Sequence, residues 1–397
     1  MIKFAFKNLL TRKMKSIFTI IAITIASLIV LISYNVANQI NEGIETTAAY
    51  YDVLVGPNGS STDLVLSTMF FTENSLGTID SSIYEELKNN KDVREAVPFA
   101  TGDSYNGCKI IGTENSFLKT KKLKEGKLFE NSFEVTIGSD VAKRFNLKIG
   151  DKIIGVHGLG ESGHKHENNP YTIVGILDKT YTSYDNVIFT KVDSVWKSHA
   201  YHDEEEHADD THNEIMAHEE HENGEYTAVL VKTKNPTAQS TVSKLMNEKI
   251  GIQAINPSTV LRDVLENVNF ATKIVYVLCI IISIMAVIII YMITLMMLED
   301  IKKDVSLMRL LGLKRRTITG IILMQNMIVV VLGIILSFVL ARVSLLFLNN
   351  ITSSMGIVLN YLKVYKGEYL AMGVVALVSL LPMGMGLIKL FKKEISK

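Results

Sequence analysis

Four stretches of the chain run for at least 20 residues without a charged side chain, and they constrain the fold more than any other feature. They are residues 16–41, 274–298, 317–341 and 369–388. About 20 apolar residues in an α-helix cross the roughly 30 Å hydrocarbon layer of a membrane, because each residue adds about 1.5 Å. The first stretch is also longer than the apolar core of a signal peptide, which has about 7 to 15 residues. The sequence therefore predicts four transmembrane helices.

The charged residues predict how these helices are oriented. Residues 37–270 hold 36 acids and 22 bases, whereas the rest of the chain holds 5 acids and 19 bases. Loops rich in Lys and Arg stay on the cytoplasmic side of a membrane. We therefore expect a multi-pass protein of the cell membrane, in contact with lipid, with both termini in the cytoplasm and the acidic insert outside. The pattern excludes a single soluble domain and a disordered chain, and nothing in it indicates a nucleic-acid partner.

The predicted fold class is an α-helical membrane protein with one plus three transmembrane helices around a large extracytoplasmic α+β domain. The predicted domains are a cytoplasmic amphipathic segment (1–15), transmembrane helix 1 (16–41), the α+β domain (42–270) with its insert (199–225), transmembrane helix 2 (274–298), a cytoplasmic loop (299–316), transmembrane helix 3 (317–348), a short outer loop (349–367), transmembrane helix 4 (368–388) and a cytoplasmic tail (389–397). Arg342 falls near the outer end of the third helix, where its long side chain is expected to reach the membrane surface.

Short β-branched or aromatic runs bounded by turn residues predict the strands of the α+β domain. These predicted strands are residues 51–55, 93–100, 108–112, 134–137, 152–156, 171–177, 187–190 and 226–232. Helices are predicted after Asp80 and after Ser139, each of which is a suitable N-cap residue, and over 237–249 and 258–272.

All nine histidines lie within 65 residues of the α+β domain. They are His157, His164, His166, His199, His202, His207, His212, His218 and His221. Six of them fall in the insert 199–225, which also holds eleven acids and no Lys or Arg. Imidazole nitrogens and carboxylate oxygens bind Zn²⁺ and similar divalent cations, so the histidines are candidate metal ligands. No tightly bound cofactor is expected, and two alternatives remain for the insert: a solvated acidic loop, or a contact that responds to pH through histidine protonation.

Two motifs that would indicate an enzyme are incomplete. The run GLGESGHK at 158–165 approaches a phosphate-binding loop, but His164 stands where the lysine should follow the glycine. The run HEEHE at 218–222 lacks the H-E-x-x-H spacing of a metalloprotease. We therefore predict that the chain is not an enzyme and that any ATP hydrolysis occurs in a separate subunit.

The predicted cytoplasmic loop has the sequence EDIKKDVSLMRLLGLKRRT over 299–317. Apolar residues recur at helical spacing, and Gly312 sits where a left-handed residue would end the helix before a basic cluster. Such an element suits docking of an ATPase. The candidate coupling residues are Val305, Met308, Arg309, Leu311, Gly312, Lys314, Arg315 and Arg316. An equal alternative for the three final bases is attachment to anionic lipid headgroups.

Two long segments resemble FtsX/MacB-type ABC transporter permeases. They are the opening FAFKNLLTRKMKSIFTIIAITIA and the later DVSLMRLLGLKRRTITGIILMQNMIVVVLGIILSFVLA. The second is similar to the family hallmark E-I-G-x-x-R-A-L-G and the helix after it, with matches at Arg309, Leu311, Gly312 and Gly333. Gln325 stands where the family often has Glu, so a polar role for that acid does not carry over.

This resemblance implies a homodimeric permease bound to cytoplasmic ABC ATPase subunits. ATP hydrolysis would change the conformation of a MacB-like core domain for export, extraction or metal-linked transport. The runs HGLGESGHKHENNPYTIVGILDKT and VDSVWKSH are similar to a histidine-bearing subgroup linked to zinc transport, with an extracytoplasmic lipoprotein or metal-binding protein as a further partner. Two alternatives are a mechanical signalling subunit that controls an extracytoplasmic enzyme or senses a toxicant, and an extracytoplasmic metal sensor.

Overall fold

The computed structural model describes residues 2–11, 13–48, 50–72, 74–157, 169–198, 224–264, 312–353 and 358–395, together with isolated positions between 266 and 310. The chain forms two compact units. The first, which we call the helix unit, comprises residues 1–39, 268–349 and 359–397. The second, which we call the sheet domain, comprises residues 40–267 and 350–358.

The sheet domain combines eleven described strands with short helices. The strands are β1 (Val53–Pro57), β2 (Val93–Tyr105), β3 (Cys108–Thr113), β4 (Leu123–Gly126), β5 (Glu134–Ile137), β6 (Lys152–Ile153), β7 (Val156–His157), β8 (Tyr171–Leu177), β9 (Ile188–Lys191), β10 (Ala228–Thr233) and β11 (Ile252–Ile255). The helices are α3 (Ser61–Met69), α4 (Ser81–Asn89), α5 (Asn115–Leu118), α6 (Ser139–Phe145), α7 (192–198), α8 (Pro236–Asn247) and α9 (257–264), with a 3₁₀ turn at Ser183–Asn186.

The strands form one mixed sheet in the order β11-β1-β10-β2-β3-β9-β5-β8-β4, with β6 on β8 and β7 on β2. Most neighbours are antiparallel, but β3 and β9 are parallel, as are β5 and β8. Residues on the central strands alternate between two apolar clusters. Leu54 lies in one cluster, whereas Val53 and Val55 lie in the other, because successive side chains of a strand point to opposite faces. The central sheet is therefore covered on both faces.

The predicted α+β architecture is confirmed in the sheet domain. All eight predicted strands are present, and β5 and β8 have the predicted bounds. The predicted strand 152–156 is divided into β6 and β7, and two short strands near the ends of the sheet, β4 and β11, were not predicted.

The two predicted N-caps differ in outcome. Asp80 caps α4 as predicted, since its side chain accepts a 2.7 Å hydrogen bond from the Ser82 N–H. The prediction for Ser139 was wrong. Gly138 is the N-cap of α6, and the Ser139 hydroxyl instead donates to Asp185 at 3.2 Å. A buried carboxylate on the neighbouring 3₁₀ turn thus competes successfully for the serine hydroxyl.

The helix unit contains α1 (Ile2–Thr11), α2 (Lys13–Ala48), α10 (Arg315–Thr352) and α11 (Lys366–Ile395). Within the described residues, two segments are long and apolar enough to cross a membrane, 13–43 and 316–352. They coincide with the first and third predicted transmembrane helices. The second, 274–298, lies largely outside the described residues, so the total of four stays a prediction.

Large apolar side chains of α10 are exposed in the isolated chain. Met327, Ile335 and Phe347 are 55%, 55% and 64% exposed. Leaving so many apolar side chains in water would be unfavourable, so this surface is suited to contact with lipid or with another apolar helix. Elsewhere on α10, Val329 and Val330 are buried in a cluster with Ile23 of α2. The helix therefore has one face that packs on its neighbours and another that is suited to a bilayer.

Candidate functional site

The predicted coupling segment is described in part. Val305 is helical and only 2% exposed, and Gly312 has a φ of +79°, which confirms the left-handed conformation predicted for it. The Lys314 carbonyl oxygen accepts 2.9 Å and 3.2 Å hydrogen bonds from the first turn of α10, so Lys314 is the N-cap residue of that helix. Lys314 and Arg316 are exposed, and Arg315 is the first residue of α10. Met308, Arg309 and Leu311 lie outside the described residues.

The histidines are described at one position. His157 is the last residue of β7, and its backbone pairs with Asp103 of β2. The other eight lie outside the described residues: His164, His166, His199, His202, His207, His212, His218 and His221. Among the residues that are described, no group of three His, Cys, Asp or Glu side chains is arranged to hold a metal ion.

The described ends of the two histidine-bearing segments meet at one buried carboxylate. Asp103 is 3% exposed, and its Oδ2 accepts hydrogen bonds from Ser198 Oγ at 3.0 Å and from the Tyr171 hydroxyl at 3.3 Å. Ser198 immediately precedes the insert, while His157 and Tyr171 flank the shorter histidine run. Burial, and then the negative charge of Asp103, raise the pKa of Tyr171, so this phenol stays protonated as the donor. The described ends of both segments therefore lie beside Asp103.

The far end of the insert is fixed by the indole of Trp196 on α7. Trp196 Nε1 donates a 2.9 Å hydrogen bond to the Glu225 carbonyl oxygen, and its ring lies 5.2 Å from that of Tyr226. Gly224 lies directly against the indole, where a Cβ atom would collide with it. Because Trp196 is only two residues before Ser198, the insert begins and ends on the same part of the sheet domain.

A second polar cluster, which we call the helix-unit clamp, joins three helices of the helix unit. It consists of Asn35 and Gln39 of α2, Arg342 of α10 and Glu368 of α11. The Arg342 guanidinium forms an ion pair with the Glu368 carboxylate, and Asn35 Nδ2 donates to Glu368 Oε1 at 2.6 Å. Asn35 and Glu368 are both completely buried.

The clamp also holds the chain segment that connects α10 to α11. Arg342 Nη1 and Asn35 Nδ2 each donate a 2.9 Å hydrogen bond to the Lys363 carbonyl oxygen. Gln39 bonds the backbone of Asn360 in both directions, accepting from its N–H at 2.6 Å and donating to its carbonyl at 3.1 Å. Buried polar groups that are satisfied in this way specify a single arrangement of helices.

The Arg342 side chain is only 14% exposed and is paired within the protein. That it lies at the membrane surface stays a prediction. Sequence reasoning missed the partners of Arg342. One signal was available, because Asn35 and Gln39 lie one helical turn apart inside the predicted first transmembrane helix. Polar pairs within a membrane helix usually face other protein rather than lipid.

Apolar helices that carry a large mixed-sheet domain define the class of this chain, a membrane protein with a domain outside the bilayer. Residues 17–249 match the family described as MacB-like periplasmic core domain, and residues 276–395 match the FtsX-like permease C-terminal family. The first match alone covers more than half of the chain. The chain belongs to the FtsX/MacB-type ABC transporter permeases, and its sheet domain is extracytoplasmic.

Two solved structures are among those similar to the chain. One is the extracellular domain of the noncanonic ABC-type transporter YknZ from Gram-positive bacteria, with 13% identity, a TM-score of 0.33, and coverage of 51% of this chain and 99% of that one. The other is the periplasmic region of MacB from Actinobacillus actinomycetemcomitans, with 11% identity, a TM-score of 0.36, and coverage of 55% of this chain and 95% of that one. No curated protein gave a significant match.

Proposed function

We propose that the chain is the membrane subunit of an ABC transporter and acts as a homodimer with two cytoplasmic ATPase subunits. ATP hydrolysis in those subunits changes the conformation of the extracytoplasmic sheet domain for export, extraction or metal-linked transport. One observation carries the proposal: the chain passes between the helix unit and the sheet domain four times. The connections lie near residues 39, 267, 349 and 358. Four covalent connections are a direct route by which movement of the helices reaches the sheet domain.

The coupling segment is the proposed ATPase contact. Gly312 adopts a left-handed conformation, and the exposed bases Lys314 and Arg316 follow within one turn. Two exposed cations beside a left-handed glycine suit an acidic groove on a partner protein. They also suit anionic lipid headgroups, which remain the alternative role of these bases.

A double charge reversal, Lys314→Glu with Arg316→Glu, distinguishes the two roles. If the segment contacts the ATPase, the variant should lose co-purification with the ATPase subunit and stimulation of ATP turnover. The control reverses Lys392 and Lys393, two bases of the predicted cytoplasmic tail, and should keep both properties. Equal behaviour of the two variants would assign the bases to the lipid surface.

The proposed topology places the termini and the coupling segment in the cytoplasm and the histidine insert outside. A cysteine introduced at Lys314 should react with a membrane-impermeant reagent only after the membrane is opened, whereas one at His207 should react in intact cells. Labelling of both cysteines from the same side would contradict the proposed orientation.

We further propose that the histidine-bearing segments bind a divalent cation, with Zn²⁺ as the best match to imidazole and carboxylate ligands. The supporting observation is that the described ends of both segments lie beside Asp103, which favours ligands from both runs at one ion. Calorimetry on the full chain with Zn²⁺, and with Ca²⁺ as an oxygen-preferring control, tests this. Binding of Zn²⁺ weaker than roughly millimolar would remove the metal proposal.

Paired substitutions test whether the two runs act together. If one ion takes ligands from both, then His164→Gln with His166→Gln and His199→Gln with His202→Gln should weaken the same binding event, and the effects should not add. Reconstitution with the ATPase subunit addresses the wider function. Zinc-independent ATP turnover that responds to an extracytoplasmic protein, without movement of any cargo, would favour the mechanical signalling alternative.

A further inference from the structure

A cavity of about 250 Å³ lies in the sheet domain where several chain segments meet. It is lined by the residues that follow α3, by the turn between β2 and β3, by α6, by the 3₁₀ turn and by Ser353. Its floor is firm, since Phe71, Cys108, Ser183 and Val187 are all buried. Pockets for drug-sized molecules measure about 300 to 1,000 Å³, so this cavity suits a smaller group.

The lining of this cavity carries positive charge only. Lys109 and Arg144 contribute two bases, and no Asp or Glu is among the described residues that line it. Burial raises the pKa of the Cys108 thiol by more than the nearby Arg144 lowers it, so the thiol stays a neutral S–H group. The surrounding segment 37–270 is acidic, with 36 acids and 22 bases. Within that acidic domain, the cavity favours an anion.

Arg144 is positioned to receive such an anion. Its side chain is exposed at the edge of the cavity, and it takes part in none of the ion pairs in the described part of the sheet domain. Its guanidinium carbon lies 5.8 Å from the centroid of the Phe145 ring. A guanidinium group presents a planar fork of N–H donors that matches the oxygens of a phosphate group.

The cavity also lies where the chain passes from α10 into the sheet domain. Ser353 directly follows Thr352, which ends both α10 and the apolar segment 316–352. Asn186 Nδ2 donates a 2.8 Å hydrogen bond to the Ser353 carbonyl oxygen and so holds this residue at the cavity. Since α10 is a proposed transmembrane helix with its end at Thr352 outside, the phosphate groups of the outer lipid surface are the nearest abundant anions.

We propose that this cavity binds a small phosphate ester, with the phosphate group on Arg144 and Lys109 and the attached carbon atoms on Phe70 and Phe71. The proposal deepens the proposed function, on which the position beside the membrane rests, because it names a ligand class for the extracytoplasmic domain. Binding itself requires no ATPase. The headgroup of an anionic lipid and a free phosphate ester share this chemistry, and the choice of titrants separates them.

Calorimetry on the full chain in an uncharged detergent measures the binding. The titrants are glycerol phosphate, glycerol, dihexanoyl phosphatidylglycerol and dihexanoyl phosphatidylcholine, whose choline group neutralises the phosphate charge. We expect saturable binding of glycerol phosphate and phosphatidylglycerol, and binding at least roughly ten-fold weaker of glycerol and phosphatidylcholine. Tighter binding of phosphatidylglycerol than of glycerol phosphate would indicate a lipid headgroup, and the reverse order or equal affinity would indicate a free phosphate ester.

Variants test whether the two bases of the lining hold the phosphate group. Arg144→Gln and Lys109→Gln should each weaken binding of glycerol phosphate by roughly ten-fold, because each removes a charge-assisted hydrogen bond. Lys143→Gln is the matched control and should bind as the native chain does. Lys143 is the preceding residue of α6, is exposed and lies outside the lining, so this variant loses the same charge without losing a contact. Unfolding temperatures identify any variant that has lost its fold, and the second base then tests the site.

The absence of saturable binding with both glycerol phosphate and phosphatidylglycerol would overturn the proposal. So would equal weakening in Arg144→Gln and Lys143→Gln, because binding would then follow the net charge of the domain and not the cavity. Because these titrations contain no ATPase, a negative result leaves the coupling proposal standing. Conversely, loss of ATPase association in the coupling variants would leave phosphate binding at the cavity unaffected.

Discussion

Arg342 and Glu368 form an ion pair inside the helix unit, with exposed side-chain fractions of only 14% and 0%. The two residues belong to different helices, and Asn35 of a third helix donates to the same carboxylate. Two opposite charges removed from water attract each other strongly, but either charge without its partner is costly to keep buried. The helix-unit clamp is therefore expected to hold α2, α10 and α11 together as one group during any movement of the permease.

The clamp predicts a strong coupling between its two charged residues. Arg342→Met and Glu368→Gln should each destabilise the protein by about 3 to 5 kcal/mol, because each leaves the other charge buried and unpaired. The double variant removes both charges, so it should destabilise the protein by less than the sum of the two single substitutions. Unfolding by SDS in mixed micelles, followed by circular dichroism, measures all four proteins. Purely additive costs would mean that the ion pair does not couple the helices.

The clamp also marks how far the sequence alone can predict this protein. The bounds of β5 and β8 were predicted correctly because each strand has an apolar pattern between clear turn residues. The partners of Arg342 were missed because Glu368 lies 26 residues further along, and Asn35 lies 333 residues before Glu368. Hydrophobic patterns locate a helix in a membrane, but they do not identify which polar residues of different helices meet.

The same limit applies to the sites of the sheet domain. The histidine runs and the coupling segment are local in sequence, so composition and spacing were enough to identify them. The place of Asp103 beside Tyr171 and Ser198 depends on strand pairing and on the end of α7, which no local pattern specifies. The parallel pairing of β3 with β9 likewise joins strands that are separated by about 75 residues of chain.

Glu134 should make the stability of the sheet domain depend on pH in the acid range. Hydrogen bonds from the Asn131 side chain and from the backbone N–H groups of Asn131 and Glu130 lower the pKa of Glu134 from 4.5 to about 2. A carboxylate whose pKa is lower in the folded protein than in the unfolded chain stabilises the folded state at pH values above the unfolded-state pKa. This stability is lost as the pH falls from about 4.5 toward 2.

The change can be followed through the fluorescence of Trp196, which reports unfolding of the sheet domain. Between about pH 5 and pH 3, the unfolding temperature of the native chain should fall more than that of Glu134→Gln, because the variant has no carboxylate to protonate at this position. Glu125→Gln, at an exposed acid with no such network, serves as the control. If the unfolding temperatures of the native chain and of Glu134→Gln depended on pH in the same way, the Glu134 carboxylate would not contribute to the pH dependence of stability.

Two glycines with similar backbone conformations allow a matched test of packing in the sheet. Gly126 and Gly150 have φ values of +78° and +91°, so alanine at either position should destabilise the folded state by about 1 kcal/mol through its backbone conformation. At Gly126 a Cβ atom would also collide with the Val174 carbonyl oxygen, whereas at Gly150 nothing lies within 4 Å. Gly126→Ala should therefore cost about 1 to 3 kcal/mol more than Gly150→Ala in chemical denaturation. Equal costs would mean that β4 moves away from β8 without penalty.

Gly312 offers the sharpest test of the coupling segment. Its φ of +79° is left-handed, and no atom lies within 4 Å of a Cβ placed there, so a substitution changes the backbone preference and not the packing. Asn tolerates this conformation better than Ala, and Val tolerates it least. ATP turnover stimulated by the permease should therefore decrease in the order Gly, Asn, Ala, Val. The Ala variant should lose roughly the equivalent of 1 kcal/mol in affinity for the ATPase subunit. If turnover instead followed side-chain size, with Asn as impaired as Val, the left-handed turn would not be what positions the basic cluster.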